Sequence, residues 1–207
     1  MKKLLLQIVN RYPPLFVAIQ MFRNRTGAMR CSLEQLHSDF KLELEFETKA
    51  LDLGCGPAPK NMFEAQFAVG ADRYTDEKKN VVCVDLGFER LPFEDDWFHY
   101  ITAYDLLEHI PRFSESSASG GAPFIFLMNE IFRILKPGGR FLSVTPIYPY
   151  LGAFQDPTHN NIITADTFEM YFCAGKRDIA EHYGIKTYFR IIYKKMMGEH
   201  LVAILEK

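Results

Sequence analysis

The sequence predicts an α/β fold: a doubly wound, mostly parallel sheet of about seven strands, closed by an antiparallel hairpin and preceded by a helical extension. Three observations point there. Short apolar runs recur from residue 50 onward, and the first three carry an acid at or near their C-terminal ends: Asp52, Asp72 and Asp85. Helical patterns alternate with the runs, the grammar of parallel strands joined by crossovers. Near the C-terminus two strand-like runs, Thr187–Tyr193 and His200–Leu205, are separated only by Lys194–Glu199. That is too short for a crossover, so these two should pair antiparallel.

Taken in order, residues 1–48 read as the N-terminal extension and residues 49–207 as the main domain. Leu4, Leu5, Ile8, Val9 and Tyr12 recur at helical spacing until Pro13-Pro14, and Leu15–Phe22 begins a second apolar segment. Residues 1–33 hold six basic side chains and no Asp or Glu. Such a helix can lie on an anionic membrane, cover a pocket, or simply pack on the core. Leu42, Leu44 and Phe46 alternate with glutamates, which suits an edge strand or an extended lead-in.

The first core strand, Ala50–Leu53, breaks into Gly54-Cys55-Gly56-Pro57-Ala58-Pro59. Glycines there free the turn's dihedrals and let a ligand lie against the main chain, and a helix after the turn would add free N–H groups for an anion. Phe67–Ala71, Val81–Val84, Phe98–Ala103 and Arg140–Thr145 follow as strands. A helix ended by Lys136-Pro137-Gly138-Gly139 precedes the last of these. Ser114–Gly121 reads as a loop. Helices are expected over Thr164–Phe172 and Arg177–Tyr183, the latter stopped by Gly184.

Composition narrows the classes. The 24 basic and 26 acidic residues nearly cancel, so no global charge points to nucleic acid. Four scattered cysteines with no C-x-x-C indicate neither a zinc site nor a disulfide framework, and fit a reducing cytosol. No apolar run reaches membrane-spanning length, so a cytoplasmic protein is expected. A dinucleotide fingerprint would need a third glycine where Pro59 stands, which disfavours NAD.

The Asp52-x-Gly54-x-Gly56 turn resembles the first motif of class I S-adenosylmethionine-dependent methyltransferases, with Ala58 in place of the usual third glycine. Asp85-Leu86, Leu91-Pro92-Phe93, Phe98–Ile101, Leu107-Glu108-His109-Ile110 and Glu130–Gly139 resemble that family's later blocks in order and spacing. The resemblance implies a Rossmann-like domain binding S-adenosylmethionine and releasing S-adenosylhomocysteine. Carried over by position, Gly54, Cys55 and Gly56 approach the methionine portion and Asp52 supports its ammonium. Asp72, followed by Arg73, holds the ribose; Asp85 and Leu86 take the adenine; Ala103 and Tyr104 stand beside the sulfonium. Where relatives that methylate nucleobase or glutamine nitrogen carry Asn/Asp-Pro-Pro-aromatic, this chain reads Ala103-Tyr104-Asp105-Leu106, so nucleic acid is not the expected substrate.

A hydroxyl acceptor needs a general base, and the candidates are Asp105, His109, Asp156 and His159. The last two lie in Phe154–Asn160, after the fifth strand, where Asp156-Pro157 also suits a plain Asx turn. Tyr148–Asn160 and the N-terminal extension are expected to form the acceptor pocket. The acceptor is read as a small molecule or saccharide. A lipid reached through peripheral membrane contact of the basic N-terminus, or loss of catalysis with cofactor binding retained, are the alternatives. A metal held by Asp156, His159 and His109 matches no local motif, and no metal is expected. A monomer or homodimer suits a chain of this size.

Overall fold

The computed structural model describes residues 33–43, 46–74, 79–115, 121–173 and 177–207. The basic N-terminal helix, and most of the Ser114–Gly121 loop, therefore fall outside the described residues. The sheet has seven strands in the order β3-β2-β1-β4-β5-β7-β6. These are β1 (Lys49–Leu53), β2 (Phe67–Asp72), β3 (Val81–Cys83), β4 (Phe98–Tyr104), β5 (Leu135–Pro146), β6 (Arg190–Met197) and β7 (His200–Glu206). β1 to β5 run parallel, and β7 pairs antiparallel with both β5 and β6. The chain's direction across the sheet reverses between β1 and β4, so a crevice opens at their C-terminal ends.

β1 is buried because it pairs on both edges and is covered on both faces. Leu51 and Leu53 point into a cluster with Ile101, Ala103, Phe141 and Leu201, which α2 (Pro123–Ile134) caps with Phe124, Leu127, Met128 and Ile131. Each such buried leucine contributes about 1.5–3 kcal/mol. Ala50 points the other way, into a smaller cluster with Phe63, Tyr100, Leu142 and Leu36 of α1 (Leu33–Asp39). Pro123 opens α2 at a position where its missing N–H costs nothing.

The structure refines the sequence reading at several points. No helix follows β1: residues 54–66 form turns, so the glycine turn has no helix N-terminus behind it. α2 ends at Ile134, and Lys136–Gly139 is a bulged stretch inside β5, where the register with β4 shifts between Phe98 and Tyr100. Gly138 takes φ +74° there, and Lys207 closes the bulge by bonding from its backbone to Gly139 while accepting from Gly138. The final hairpin is tighter than expected. β6 runs on to Met197, and Gly198-Glu199 alone turn the chain, with Gly198 at φ +64° as a two-residue turn of the II′ kind requires. Of the two readings of residues 42–47, the lead-in holds for the described residues: they form no strand, and the Leu42 N–H donates to the Tyr100 hydroxyl at 2.5 Å.

Short segments complete the domain: a 3-10 turn (Leu107–His109) after β4, and α3 (Gly152–Gln155), α4 (Thr167–Tyr171) and α5 (Arg177–His182) between β5 and β6. α4 begins three residues later than expected, and the Thr164 N–H ahead of it donates to the Thr167 hydroxyl at 2.9 Å.

Candidate active site

The C-terminal ends of β1 and β2 are tied together by their own acids. Asp52 is buried. One of its oxygens accepts from the Lys60 N–H at 2.8 Å and the other from the Thr102 hydroxyl at 2.7 Å, Thr102 being its cross-strand partner on β4. Burial raises the Asp52 carboxyl pKa, and the bonds from Lys60 and Thr102 pull it partly back. The carboxylate thus folds the turn from Gly54 to Lys60 over the strand end. Asp72 accepts from the N–H groups of Gly56 (2.9 Å) and Arg73 (2.7 Å), while Gly54 N–H donates to Ala71.

The two glycines differ. Gly54 sits at φ +64°, and a Cβ there would meet the Leu106 side chain at 2.8 Å. Gly56, at φ +61°, has nothing within 4 Å in the direction a Cβ would take. The space beside Gly56 is the room a ligand lying on the turn needs. Cys55 faces the other way, buried where a side chain on Gly70 would stand. Burial pushes its thiol up to about 11, so only its backbone is offered at the turn.

A cleft of about 650 Å³ opens at this edge. Gly54, Asp72, Arg73 and Leu86 line one side, and His109, Pro157, Thr158 and Asn160 line the other. Five of the residues expected from sequence therefore meet at one cavity. The others stand close by with different partners. Asp85 lies just beyond β3, its carboxylate bridged to Arg73 at 3.2 Å. Ala103 is buried in the core. Tyr104 turns its ring to the opposite face, where its hydroxyl meets His37 Nε2 at 2.8 Å and Lys60 Nζ lies 4.8 Å from the ring centre; burial pushes its phenol well up. A separate cleft of about 210 Å³ between Phe124, Tyr171, Tyr183 and Ile185 carries none of these residues.

The far wall is held by a clamp that the sequence reading missed. Asn160 and Asn161 both donate their backbone N–H to the Glu108 carbonyl, at 2.8 and 2.9 Å. The buried Asn161 side chain donates to Leu107 O and accepts from Arg112 Nε. The 156–161 loop is thereby laid along the Leu107–His109 turn, and the His109 and His159 rings meet edge to face with centroids 4.7 Å apart. Asp156 makes the Asx turn foreseen for it, accepting from the N–H and hydroxyl of Thr158, and these bonds lower its pKa. Asp105, at φ +47°, pairs with His200 Nε2 at 3.0 Å; that contact lowers the acid's pKa and raises the histidine's. His200 carried no sequence signal beyond its place at the start of the last strand. At the loop's other end, Tyr150 is buried, whereas Tyr148 and Phe154 pack against each other on the surface. Glu199 of the hairpin turn accepts from the Gly152 N–H.

A mixed sheet of this order, with acids at the ends of its first two strands and a glycine turn beside a cleft, defines a Rossmann-like nucleotide-binding domain. Known proteins narrow the class. Residues 51–143 match the family described as "Methyltransferase domain". Over 148 residues the chain is 28% identical to the sterol 4-C-methyltransferase strm-1 of Caenorhabditis elegans, covering 63% of this chain and 39% of that protein. The chain thus spans about two fifths of the length of this curated relative. In fold it is similar to a protein of Pyrococcus horikoshii (TM-score 0.56, 19% identity, covering 89% of this chain and 90% of the other). It is also similar to a geranyl diphosphate methyltransferase solved with S-adenosylmethionine (TM-score 0.56, 11% identity, 84% of each chain). A third likeness is the structure of the Haloferax volcanii Trm112 methyltransferase activator with its methyltransferase (TM-score 0.54, 15% identity, 89% and 93%).

Residues 51–143 are thus a methyltransferase domain, similar to those of the class I methyltransferases, whose cofactor is S-adenosylmethionine. The open space at Gly56 and the adjoining cleft fit that group.

Proposed function

We propose that the chain transfers a methyl group to a small, hydroxyl- or amine-bearing acceptor held between the Gly54–Asp72 edge and the 156–160 loop. The observation that carries this reading is that residues of the cofactor motifs and of that loop line one cleft. S-adenosylmethionine, when bound, supplies a methyl group made electrophilic by its sulfonium. The chain's part is to hold the acceptor in line and exclude water, which supplies much of the rate. Gly54 and Gly56 would carry the methionine portion on their backbone, Asp72 the ribose hydroxyls, and Leu86 with Asp85 the adenine. Ala103 and Tyr104 would flank the sulfonium through their backbone.

The four candidate bases are not equal. Asp105 is committed to His200 and Asp156 to Thr158. His109 lines the cleft and His159 stands against it, which supports a role for the two rings in the acceptor chemistry.

A lipid acceptor is the second reading. Tyr148, Leu151 and Phe154 are 54%, 59% and 50% exposed beside the same loop, and the sterol-methylating relative points the same way. Co-sedimentation with anionic and neutral vesicles separates the two readings, since a soluble-acceptor enzyme stays in the supernatant.

Calorimetry tests the cofactor side. S-adenosylhomocysteine should bind and NAD should not. Asp72→Ala should fold and lose about tenfold to several-hundredfold in affinity, as charge-assisted bonds are worth roughly 1.5–3 kcal/mol each. Tight NAD binding, or unchanged affinity in a folded Asp72→Ala variant, would overturn the assignment.

A further inference from the structure

The Leu107–His109 turn and the 156–161 loop bring together three groups that can ligate a cation. A ring nitrogen of His109, a ring nitrogen of His159 and a carboxylate oxygen of Glu108 lie within 4.8 Å of one another. Glu108 is 1% exposed. Its Oε2 accepts from the Thr145 hydroxyl at 2.9 Å, and its Oε1 is buried with no hydrogen-bond partner. An uncompensated buried oxygen of this kind costs free energy unless a cation or donor meets it.

The protons on the two rings follow from their neighbours. The Thr158 hydroxyl spends its one hydrogen on the Asp156 carboxylate at 2.6 Å. Towards His109 Nδ1, 3.0 Å away, it can therefore only accept, so Nδ1 carries a proton and Nε2 is the lone-pair nitrogen of the neutral ring. His159 Nδ1 faces the Ala153 carbonyl at 3.3 Å, which also only accepts, and its Nε2 is left bare in the same way. Bonds that hold one ring nitrogen and free the other are how proteins prepare histidine for a metal.

We propose that Glu108, His109 and His159 bind a divalent transition-metal ion, with Thr158 and the Ala153 carbonyl orienting the two rings. Two imidazoles and one carboxylate suit Zn²⁺ and its neighbours in the first transition row better than Mg²⁺ or Ca²⁺, which prefer all-oxygen sites. Metal bonds of about 2.0–2.2 Å require the three ligand atoms to close on the ion by about an ångström. Sequence reading expects no metal here because the spacing of Asp156, His159 and His109 matches no local motif; in the fold Asp156 bonds Thr158, and Glu108 is the carboxylate beside the two rings. Three protein ligands leave positions open, and His109 borders the cleft. Resting on the methyl-transfer reading, those open positions are where an acceptor hydroxyl would bind, its acidity raised by the ion and its proton passing to solvent.

The test uses the full chain stripped with chelator and titrated with Co²⁺, followed by d–d absorption, and with Zn²⁺ in competition. Stoichiometric binding with tetrahedral or five-coordinate bands is expected. His159→Ala and Glu108→Gln should abolish the bands, and Thr158→Val should weaken binding about 10–100-fold. Binding that persists in both ligand variants, or no Co²⁺ or Zn²⁺ binding by the wild-type chain, would overturn the site. Circular dichroism of each variant separates lost ligation from lost folding. If a variant unfolds, histidine line broadening by Co²⁺ in the wild-type NMR spectrum decides in its place: broadening confined to the His109 and His159 resonances supports the site, and its absence there overturns it. S-adenosylhomocysteine binding, measured separately, stays intact if only the metal proposal fails.

Discussion

The two walls of the cleft are made in different ways. The cofactor wall is backbone at the ends of adjacent parallel strands: Gly54 bonds to Ala71, Gly56 to Asp72, and Asp52 to its own turn and its cross-strand neighbour. The wall proposed for the acceptor belongs to no strand. It is a loop pinned to a 3-10 turn by Asn160 and Asn161, some fifty residues further along the chain, and braced from behind by Glu199. The first wall follows from sheet geometry, which every member of the fold shares. The second follows from a handful of side-chain and main-chain bonds between loops, a place where substrate choice can vary without disturbing the sheet.

The sharpest way to break the comparison is within the cofactor wall. Gly54→Val places a β-branched residue at φ +64° against Leu106, and strain plus overpacking should cost on the order of 2–6 kcal/mol. Gly56→Ala meets no atom, so it should cost only about 1–2 kcal/mol of backbone strain while intruding on the cofactor's space. Urea denaturation and calorimetry with S-adenosylhomocysteine, run on both variants, should show Gly54→Val losing stability first and Gly56→Ala losing affinity first. Equal stability losses would mean the turn is not seated as described.

On the acceptor wall the effect should be smaller and of another kind. Asn161→Ala removes one of the two donors to Leu107 O, which keeps the Ile110 N–H, and leaves Arg112 Nε without its Asn161 acceptor, at a cost of about 1–3 kcal/mol. Methyl transfer should fall while S-adenosylhomocysteine affinity holds within a few-fold. Equal loss of both would mean that the walls are not independent.

The smallest effect expected is a dependence on pH. The His200 contact holds the Asp105 pKa below its ordinary value, so this acid's contribution is present above about pH 4 and is lost as pH falls through its folded pKa. Asp105 in turn raises the His200 pKa, so that contribution is full below about pH 6.5 and is lost as pH rises through the folded value. The pair therefore supports the fold most between those limits, and modestly, because both side chains are partly exposed (39% and 62%). Subtracting the stability–pH curve of His200→Asn from that of the wild type should leave a shallow dome. A flat difference would remove the pair from the stability of the site.

What could be read from the sequence divides along the same line. Asp52, Gly54, Gly56 and Asp72 were legible because a parallel strand delivers its last residues to one edge, whatever the rest of the chain does. Glu108 was visible only as part of Leu107-Glu108-His109, and nothing local says that its carbonyl will hold Asn160 or that its carboxylate will lie near His159. Lys136-Pro137-Gly138-Gly139 misled for a related reason. Gly138 and Gly139 read as a helix stop, but α2 has already ended at Ile134, and the glycines serve a bulge whose partner is Lys207.

Cys55 turns the cofactor edge into its own reporter. Its sulfur occupies the place a side chain on Gly70 would take and is held protonated by burial, whereas Cys83 lies exposed at the end of β3. Thiolate is the species that alkylating agents consume, so at neutral pH a maleimide should exhaust Cys83 long before it touches Cys55. Any condition that opens the turn between β1 and Lys60 should let a label enter at Cys55, which peptide mass tells apart from labels at Cys31, Cys83 and Cys173. The extent of the Cys55 label then follows the opening of the turn, with no ligand and no assay of turnover.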